Sequence, residues 1–282
     1  MVSTRDHGIP LFPTLEGYNY VVAAVKLNDG YHLLDATNEY STMDVLPTRS
    51  LNWMGRMVSE NGNSEVMNLM PKNKSIDMVM MNVNLNDDGS VDAKIRQQYT
   101  DNNAFLFRNA YNKGTEESFL EDMEKSQGDI EISDYQLKNN YDLDKPIVQE
   151  YTLFKEDAIE TISNKLYFSP MLHLCMMESP FKSEKREYPV DYGFPWEDKY
   201  MITINIPQGY EVESLPKSIS LSLPDNMGTF KYLVSENNNV INLRAMLSTN
   251  SAVVPSTYYD SLKEFYRQIV EKETEKIVLH KI

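Results

Sequence analysis

The alternation of apolar and polar residues along the chain is mainly that of β-strands. Residues 64–100 alternate in the strand manner, and residues 147–154 form the clearest strand of the middle part. From 200 to 247, short apolar runs recur between turns rich in Pro, Gly, Asn and Asp, which is the spacing of an antiparallel sandwich. The pattern therefore predicts a protein built mostly from antiparallel sheets.

Three segments have helical spacing instead. Thr115 is a good N-cap for a short helix that ends before Gly128, and another short helix is predicted around residues 103–111. Residues 256–271 are predicted to form an amphipathic helix. Its apolar stripe consists of Tyr259, Leu262, Phe265, Tyr266, Ile269 and Val270. The predicted fold class is α+β, mostly β, with antiparallel β-sandwich-like domains and covering helices.

The first predicted strand pair carries the most informative chemistry. Two apolar, β-branched runs, 18–25 and 31–37, flank an Asn-Asp-Gly turn at 28–30, which is a strong hairpin signal. Antiparallel pairing brings Tyr20 nearly opposite Asp35. In a cysteine-type catalytic site, this is the geometry in which a histidine meets its orienting aspartate.

Residues 3–5 (Ser-Thr-Arg), 18–20 (Tyr-Asn-Tyr) and 34–37 (Leu-Asp-Ala-Thr) resemble motifs of bacterial transglutaminase-like proteins. These are papain-related enzymes whose Cys, His and Asp come in that chain order. By this resemblance Asp35 matches the triad aspartate, and Tyr20 occupies the usual place of the histidine. The resemblance also implies that the helix bearing the cysteine would precede Met1, and that residues 1–60 are the remnant of a core sheet.

A phenol cannot replace an imidazole as the base, because its ordinary pKa near 10 keeps it protonated at neutral pH. We therefore expect a non-catalytic accessory or interaction region, not an enzyme by itself, with Tyr20 and Asp35 as relic positions. One alternative is half of a cysteine-type amidase or protease, completed by an upstream segment of the transglutaminase-like domain as partner.

The remaining candidate groups are sparse. Cys175 is the only cysteine and lies in an apolar run next to His173, where burial would raise the pKa of the thiol. The other histidines, including His32, are isolated in the sequence. Residues 84–95 resemble part of a calcium loop, but its twelfth place is Ile95 instead of a bidentate Glu, and a hairpin turn explains the segment better. No cofactor and no metal are predicted.

Charge and hydropathy narrow the choice of partners. The chain has 42 acidic and 27 basic residues and a net charge of −15, which opposes binding to nucleic acid through like-charge repulsion. It contains neither a long apolar run nor a basic start followed by a hydrophobic stretch, so no membrane insertion and no signal peptide are predicted. The family resemblance alone implies a periplasmic or extracellular location.

A proline-rich connection at 179–196 suggests a second alternative. Its Pro-Phe-Lys and Tyr-Pro-Val-Asp stretches resemble segments that follow the core in the same bacterial group, within a β-rich C-terminal module of unassigned function. Tyr192, Phe194 and Trp196 could share one face and bind a glycan or a peptide. The predicted domains are residues 1–60, 61–180 and 181–282.

Overall fold

The computed structural model describes residues 1–10, 12, 14, 16–128 and 130–282. The chain has 42% strand and 18% helix, with several antiparallel sheets and three helices among the described residues. This confirms the predicted fold class, α+β and mostly β.

The elements follow one another in chain order. The strands are β1 (Ala23–Leu27), β2 (Gly30–Leu34), β3 (Met54–Val58), β4 (Ser64–Asn68), β5 (Ser75–Leu85), β6 (Val91–Tyr99), β7 (Glu131–Lys138), β8 (Ile147–Lys155), β9 (Glu160–Ile162), β10 (Lys165–Phe168), β11 (Val190–Asp191), β12 (Trp196–Asn205), β13 (Tyr210–Ser214), β14 (Ile219–Ser222), β15 (Gly228–Asn237), β16 (Val240–Thr249), β17 (Val253–Val254) and β18 (Ile277–Lys281). The helices are α1 (Asp101–Tyr111), α2 (Glu116–Ser126) and α3 (Tyr259–Glu273).

The largest sheet has eight strands in the order β14-β15-β16-β12-β5-β6-β8-β7. All neighbouring strands are antiparallel except β5 and β12, which pair in parallel with Asp77 opposite Asp198. Along most of these strands, every second residue is apolar and points to the inner face of the sheet. Val83 and Ile204 are examples, and both are almost inaccessible to solvent. Burial of one row on each strand fixes the register, because a slip by one residue would expose that row.

The predicted ranges 61–180 and 181–282 both contribute strands to this one sheet, through the pairing of β5 with β12. The four-stranded sheet β13-β18-β10-β9 and α3 contribute to the same core, which includes Phe168, Ile277 and Leu262. Of the predicted apolar stripe on α3, Val270 alone is only partly buried. The helix thus packs on the sheets of its own chain, as an amphipathic stripe requires.

The N-terminal part is built differently. It has two separate two-stranded sheets, β1-β2 and β3-β4, over a small core that includes Val2, Leu51 and Leu69. Asp191 in β11 ties this part to the rest of the chain. Its Oδ2 accepts a hydrogen bond from Trp53 Nε1 at 2.8 Å and lies 3.1 Å from Arg5 Nη1.

Candidate functional site

The first hairpin brings the two predicted relic residues into contact. The register pairs Ala23 with Leu34, so continuing it places Tyr20 opposite Thr37, two positions from the predicted partner. The Tyr20 hydroxyl nevertheless donates a hydrogen bond to Asp35 Oδ2 at 2.8 Å, because a tyrosine side chain is long enough to reach diagonally across two strands.

Hydrogen-bond donors surround the carboxyl of Asp35, which is only 6% exposed. Besides Tyr20 on one oxygen, Oδ1 accepts from the Thr37 backbone N–H at 2.9 Å and from Thr37 Oγ1 at 2.7 Å. A buried carboxylate is stable only when such donors replace its water shell. The strand end and the turn that follows it supply that shell here.

Arg49 completes the site, and no pattern in the sequence pointed to it. It lies in a short 3₁₀ turn, Thr48–Ser50, and its Nη2 donates to the Tyr20 hydroxyl at 2.9 Å and to Thr37 Oγ1 at 2.8 Å. The guanidinium carbon lies 5.0 Å from the centre of the Tyr20 ring. The hydrogen bond with Tyr20 raises the pKa of Arg49, so its positive charge is permanent. We call Tyr20, Asp35, Thr37 and Arg49 the hairpin network.

The hairpin network holds its groups in place, and both oxygens of its one basic group, the Asp35 carboxyl, already accept hydrogen bonds from Tyr20 and Thr37. The Tyr20 hydroxyl has one proton, which it donates to Asp35, and its oxygen already accepts from Arg49. Arg49 carries no lone pair for base chemistry at any accessible pH. The arrangement balances one negative and one positive charge through two hydroxyl groups.

His32 on β2 is not isolated, which corrects the interpretation made from the sequence. Its Nδ1 lies 2.6 Å from Asp44 Oδ2 and its Nε2 lies 2.8 Å from Asp29 Oδ1. Hydrogen bonds to Asp29 and then to Asp44 raise the pKa of His32. Because both ring nitrogens face carboxylates, the ring is stabilised as a doubly protonated cation. Such a ring has no lone pair free to act as a base.

Cys175 lies in a different part of the chain from Asp35. It follows the 3₁₀ turn Leu172–Leu174, packs against the core of the large sheet, and its Sγ donates to Leu172 O at 3.1 Å. Burial raises the pKa of the Cys175 thiol, which disfavours the reactive thiolate. Burial also lowers the pKa of nearby His173 to about 4. This thiol therefore lacks the local features that activate a nucleophile.

The three aromatic residues predicted to bind a ligand pack against their own chain. Phe194 is 5% exposed and belongs to the small N-terminal core. Tyr192 and Trp196 are half-buried and meet edge to face, with ring centroids 6.0 Å apart. Glycan binding by these rings stays a prediction.

Two further findings concern metals and membranes. Within the described residues, no three His, Cys, Asp or Glu side chains converge so that they could hold a metal ion. In the same part of the chain, none of the helices has the length and apolar character needed to span a bilayer.

Comparisons with known proteins cover the C-terminal part best. Residues 164–279 match a family described as a domain of unknown function with a solved structure, DUF3858. This range reaches from the start of β10 into β18, two strands that pair with each other. No curated protein matches the chain.

One solved structure, from Parabacteroides distasonis and described as a "putative protease", is similar at 10% sequence identity with a TM-score of 0.44. The similarity covers 92% of this chain and 35% of that chain, so the present sequence spans about a third of the length of that protein. The transglutaminase-like relationship of the N-terminal part stays a prediction. The C-terminal part is thus similar to a family whose function is unassigned.

Proposed function

We propose that this chain is a non-catalytic accessory and interaction region of a transglutaminase-like protein. The observation that carries the proposal is the 2.8 Å hydrogen bond from the Tyr20 hydroxyl to Asp35. The aspartate keeps a partner on the neighbouring strand, but that partner is a phenol. A phenol stabilises the carboxylate without taking part in proton transfer at neutral pH.

Arg49 supports this interpretation. In a working cysteine triad, the aspartate orients an imidazole that exchanges a proton with the thiol. Here the guanidinium of Arg49 supplies a permanent positive charge at the Tyr20 hydroxyl, 2.9 Å away. A guanidinium keeps its proton at any accessible pH and cannot take the place of that imidazole. The hairpin network is therefore a structural element in this proposal.

The environment of the Cys175 thiol also supports a non-catalytic role. Nucleophilic catalysis needs a thiolate beside a base, and burial disfavours the thiolate here. His173, two residues away, has its pKa lowered to about 4, so its ring is neutral at physiological pH and does not stabilise a thiolate by charge.

The test is a thiol-labelling and amide-turnover assay on the full chain at neutral pH. We expect iodoacetamide to label Cys175 more slowly than it labels free cysteine, with no turnover of an amide substrate. Cys175→Ser is the matched control, because it removes the thiol and keeps a similar shape.

Rapid labelling of Cys175, together with amide turnover that disappears in Cys175→Ser, would overturn the proposal. Turnover that persists in Cys175→Ser but is lost in Tyr20→Phe would overturn it as well, since it would show that the Tyr20 hydroxyl takes part in catalysis.

A further inference from the structure

One end of the inner face of the eight-stranded sheet is polar, whereas most of that face is apolar. Asp77 and Asp198 lie directly opposite each other on the neighbouring strands β5 and β12, whose backbones are about 4.8 Å apart. Side chains alternate between the two faces of a strand, so Asp77 shares the inner face with Val79. Asp198 shares it with Ile202 in the same way. Val79 and Ile202 are almost inaccessible, but both aspartates are only half-buried, so a space that solvent can enter remains above the two carboxyl groups.

Two tyrosines and a glutamate border this space. Tyr200 lies two residues after Asp198 on β12. One residue, Ala245, separates it across the sheet from Tyr232 on β15. Glu273 is the last residue of α3. Burial and the charges of neighbouring carboxylates raise the pKa of Asp198, Tyr200 and Tyr232, and Glu273 is among those carboxylates each time, so it lies near all three groups. We call this set the carboxyl site: Asp77, Asp198, Tyr200, Tyr232 and Glu273.

Several polar groups of the carboxyl site have no hydrogen-bond partner. Tyr232 is completely buried, and its hydroxyl is unpaired within the described residues. In the same part of the chain, the carboxyl group of Asp198 and the hydroxyl of Tyr200 are unpaired too. Glu273 uses one oxygen, Oε2, to accept from the Met176 N–H at 2.7 Å. Enclosed polar groups are nearly always paired, so unpaired groups concentrated at one place indicate that a ligand pairs them.

The unpaired groups define the chemistry of that ligand. Asp198 and Glu273 are negatively charged when ionised, and the hydroxyl oxygens of Tyr200 and Tyr232 can accept hydrogen bonds. Within the described residues, these carboxyl groups do not converge closely enough to hold a metal ion. A primary ammonium group is larger than a metal ion, is positively charged, and has three donors that point in different directions. It therefore matches acceptors that are spread around a space.

Aromatic rings extend the site on one side. Trp196 lies two residues before Asp198 on the same face of β12. Its ring meets that of Tyr192 edge to face, with the centroids 6.0 Å apart. Burial, and then Tyr192 and Asp198, raise the pKa of Tyr266 on α3, so this ring lies near both. Aromatic rings provide apolar surface for a carbon chain, and their faces attract cations.

We propose that the carboxyl site binds a primary ammonium ion with an apolar arm, either a small alkylamine or a lysine side chain of a partner polypeptide. The ammonium group lies between Asp198 and Glu273 and donates to both carboxylates and to the Tyr232 hydroxyl. The arm lies along the rings of Tyr200 and Trp196. This site goes beyond the proposed function, because it shares no residue with the hairpin network.

Binding of a cation at this place releases a proton. The titratable groups that face the Asp198 carboxyl are Asp77, Glu197, Glu273, Tyr200 and Tyr266. Burial, followed by the charges of these carboxylates, raises the pKa of Asp198 to about 8, so the group is mostly neutral at pH 7. Burial raises the pKa of both tyrosines, so neither is charged at that pH. A bound ammonium favours the carboxylate form of Asp198, which therefore loses its proton.

The experiment titrates n-butylammonium chloride into the full ¹⁵N-labelled chain at pH 7 and follows the amide signals by NMR. We expect the amides of Asp198 and Tyr200 to shift. In weakly buffered solution we expect the release of about one proton for each molecule bound. A cation attracted only to exposed carboxylates releases none, because those groups are already ionised.

Three further ligands define the chemistry of binding. 1-Pentanol has nearly the shape of n-butylammonium without its charge, and tetramethylammonium has the charge without a hydrogen-bond donor. Neither is expected to shift the amides of Asp198 and Tyr200. Nα-acetyl-lysine N-methylamide separates the two sources of the ammonium group. Tighter binding than that of n-butylammonium assigns the site to a lysine of a partner, and weaker binding assigns it to a free amine.

Matched variants test the place of binding. Asp198→Asn and Asp87→Asn each remove one negative charge, but Asp87 is exposed in a hairpin turn. Asp198→Asn is expected to weaken binding at least about tenfold and to lower the proton release, since it loses a charge-assisted hydrogen bond. Asp87→Asn is expected to leave both unchanged. Tyr232→Phe removes only the unpaired hydroxyl and is expected to weaken binding about threefold.

Four results contradict the proposal: no shift of the Asp198 and Tyr200 amides with n-butylammonium, an equal shift with 1-pentanol, binding without proton release, or equal weakening by the two asparagine variants. None of these measurements reads amide turnover. A failure here is therefore distinct from a failure of the proposed function.

Discussion

Two carboxyl sites in this chain are stabilised in opposite ways. Asp35 in the hairpin network is surrounded by donors from Tyr20 and Thr37. Asp198 on the inner face of the large sheet has no hydrogen-bond partner among the described residues, and burial raises its pKa to about 8. The neighbouring charges of Asp77, Glu273 and Glu197 act in the same direction. The carboxyl group of Asp35 is held by hydrogen bonds, whereas that of Asp198 is buried without them, which favours its neutral form.

Asp77 and Glu273 are enclosed carboxyl groups that each have a hydrogen-bond donor. Asp77 accepts from Gln97 Nε2 at 2.8 Å, and its pKa is raised to about 6 by burial, with the amide acting against that shift. Glu273 accepts from the Met176 N–H at 2.7 Å, and burial raises its pKa to about 7. In Asp198, Asp77 and Glu273 burial is the first cause of the raised pKa, and the hydrogen bonds from Gln97 and Met176 oppose it at the last two.

The largest expected effect is on the pH dependence of stability through Asp198. In the unfolded chain an aspartate releases its proton near pH 4, whereas the folded chain retains it up to about pH 8. Between these values the folded state binds more protons, so the free energy of unfolding falls as pH rises. Asp198→Asn removes this loss, and we expect a gain on the order of a few kcal/mol above pH 8 and little change below pH 4. Urea unfolding across this pH range measures it.

Asp77→Asn is the matched comparison. The pKa of Asp77 is about 6, so the corresponding loss of stability is confined to the range from about pH 4 to about pH 6 and is smaller than that of Asp198. An Asp198→Asn protein whose stability depends on pH as steeply as that of the unchanged protein would contradict this assignment of the protonated group.

The next effect is a loss of stability in Asp35→Asn. The amide nitrogen cannot accept the hydrogen bond from Tyr20 or Thr37, and Arg49 loses its counter-charge. We expect a loss of about 1–3 kcal/mol, opposite in sign to the effect of Asp198→Asn. Fluorescence of Trp53 during urea unfolding reports on this part of the chain. Exposed Asp87→Asn serves as the control, and an Asp35→Asn protein as stable as this control would argue against the hairpin network.

The smallest effect is expected for Thr37→Val. It removes the hydroxyl that donates to Asp35 and accepts from Arg49, while the backbone N–H of residue 37 still reaches Asp35. One hydrogen bond of this kind contributes about 0.5–1.5 kcal/mol, and the same unfolding assay resolves the loss. Thr37→Ser keeps the hydroxyl and should restore most of the stability. If Ser and Val variants were equally destabilised, the methyl group and not the hydroxyl would be responsible.

Local patterns predicted much of the fold. The Asn-Asp-Gly turn at 28–30 forms the hairpin β1-β2, because glycine there adopts a positive φ of 131°. The cap at Thr115 begins α2 through a capping box with Ser118. The amphipathic helix begins at Tyr259 instead of directly after Ser256, because residues 256–258 form a 3₁₀ turn first. Boundaries of this kind depend on how the preceding loop packs.

The candidate site was predictable only in part. Tyr20 and Asp35 lie on one hairpin, so the turn between them was enough to predict their proximity. Arg49 reaches them from a turn beyond the hairpin, and Asp29 and Asp44 meet His32 from two different loops. Contacts made through irregular backbone leave no periodic signal in a sequence.

By itself, the sequence determined the β-rich class, the first hairpin and the helix at 259–273, because each depends on side chains a few positions apart along the chain. The tertiary structure alone decided the parallel pairing of β5 with β12, the placing of Asp198 beside Asp77, and the contact of Trp53 with Asp191. These features arise from segments far apart in the sequence, and what brings them together is the burial of apolar faces, which is non-directional and names no partner in advance.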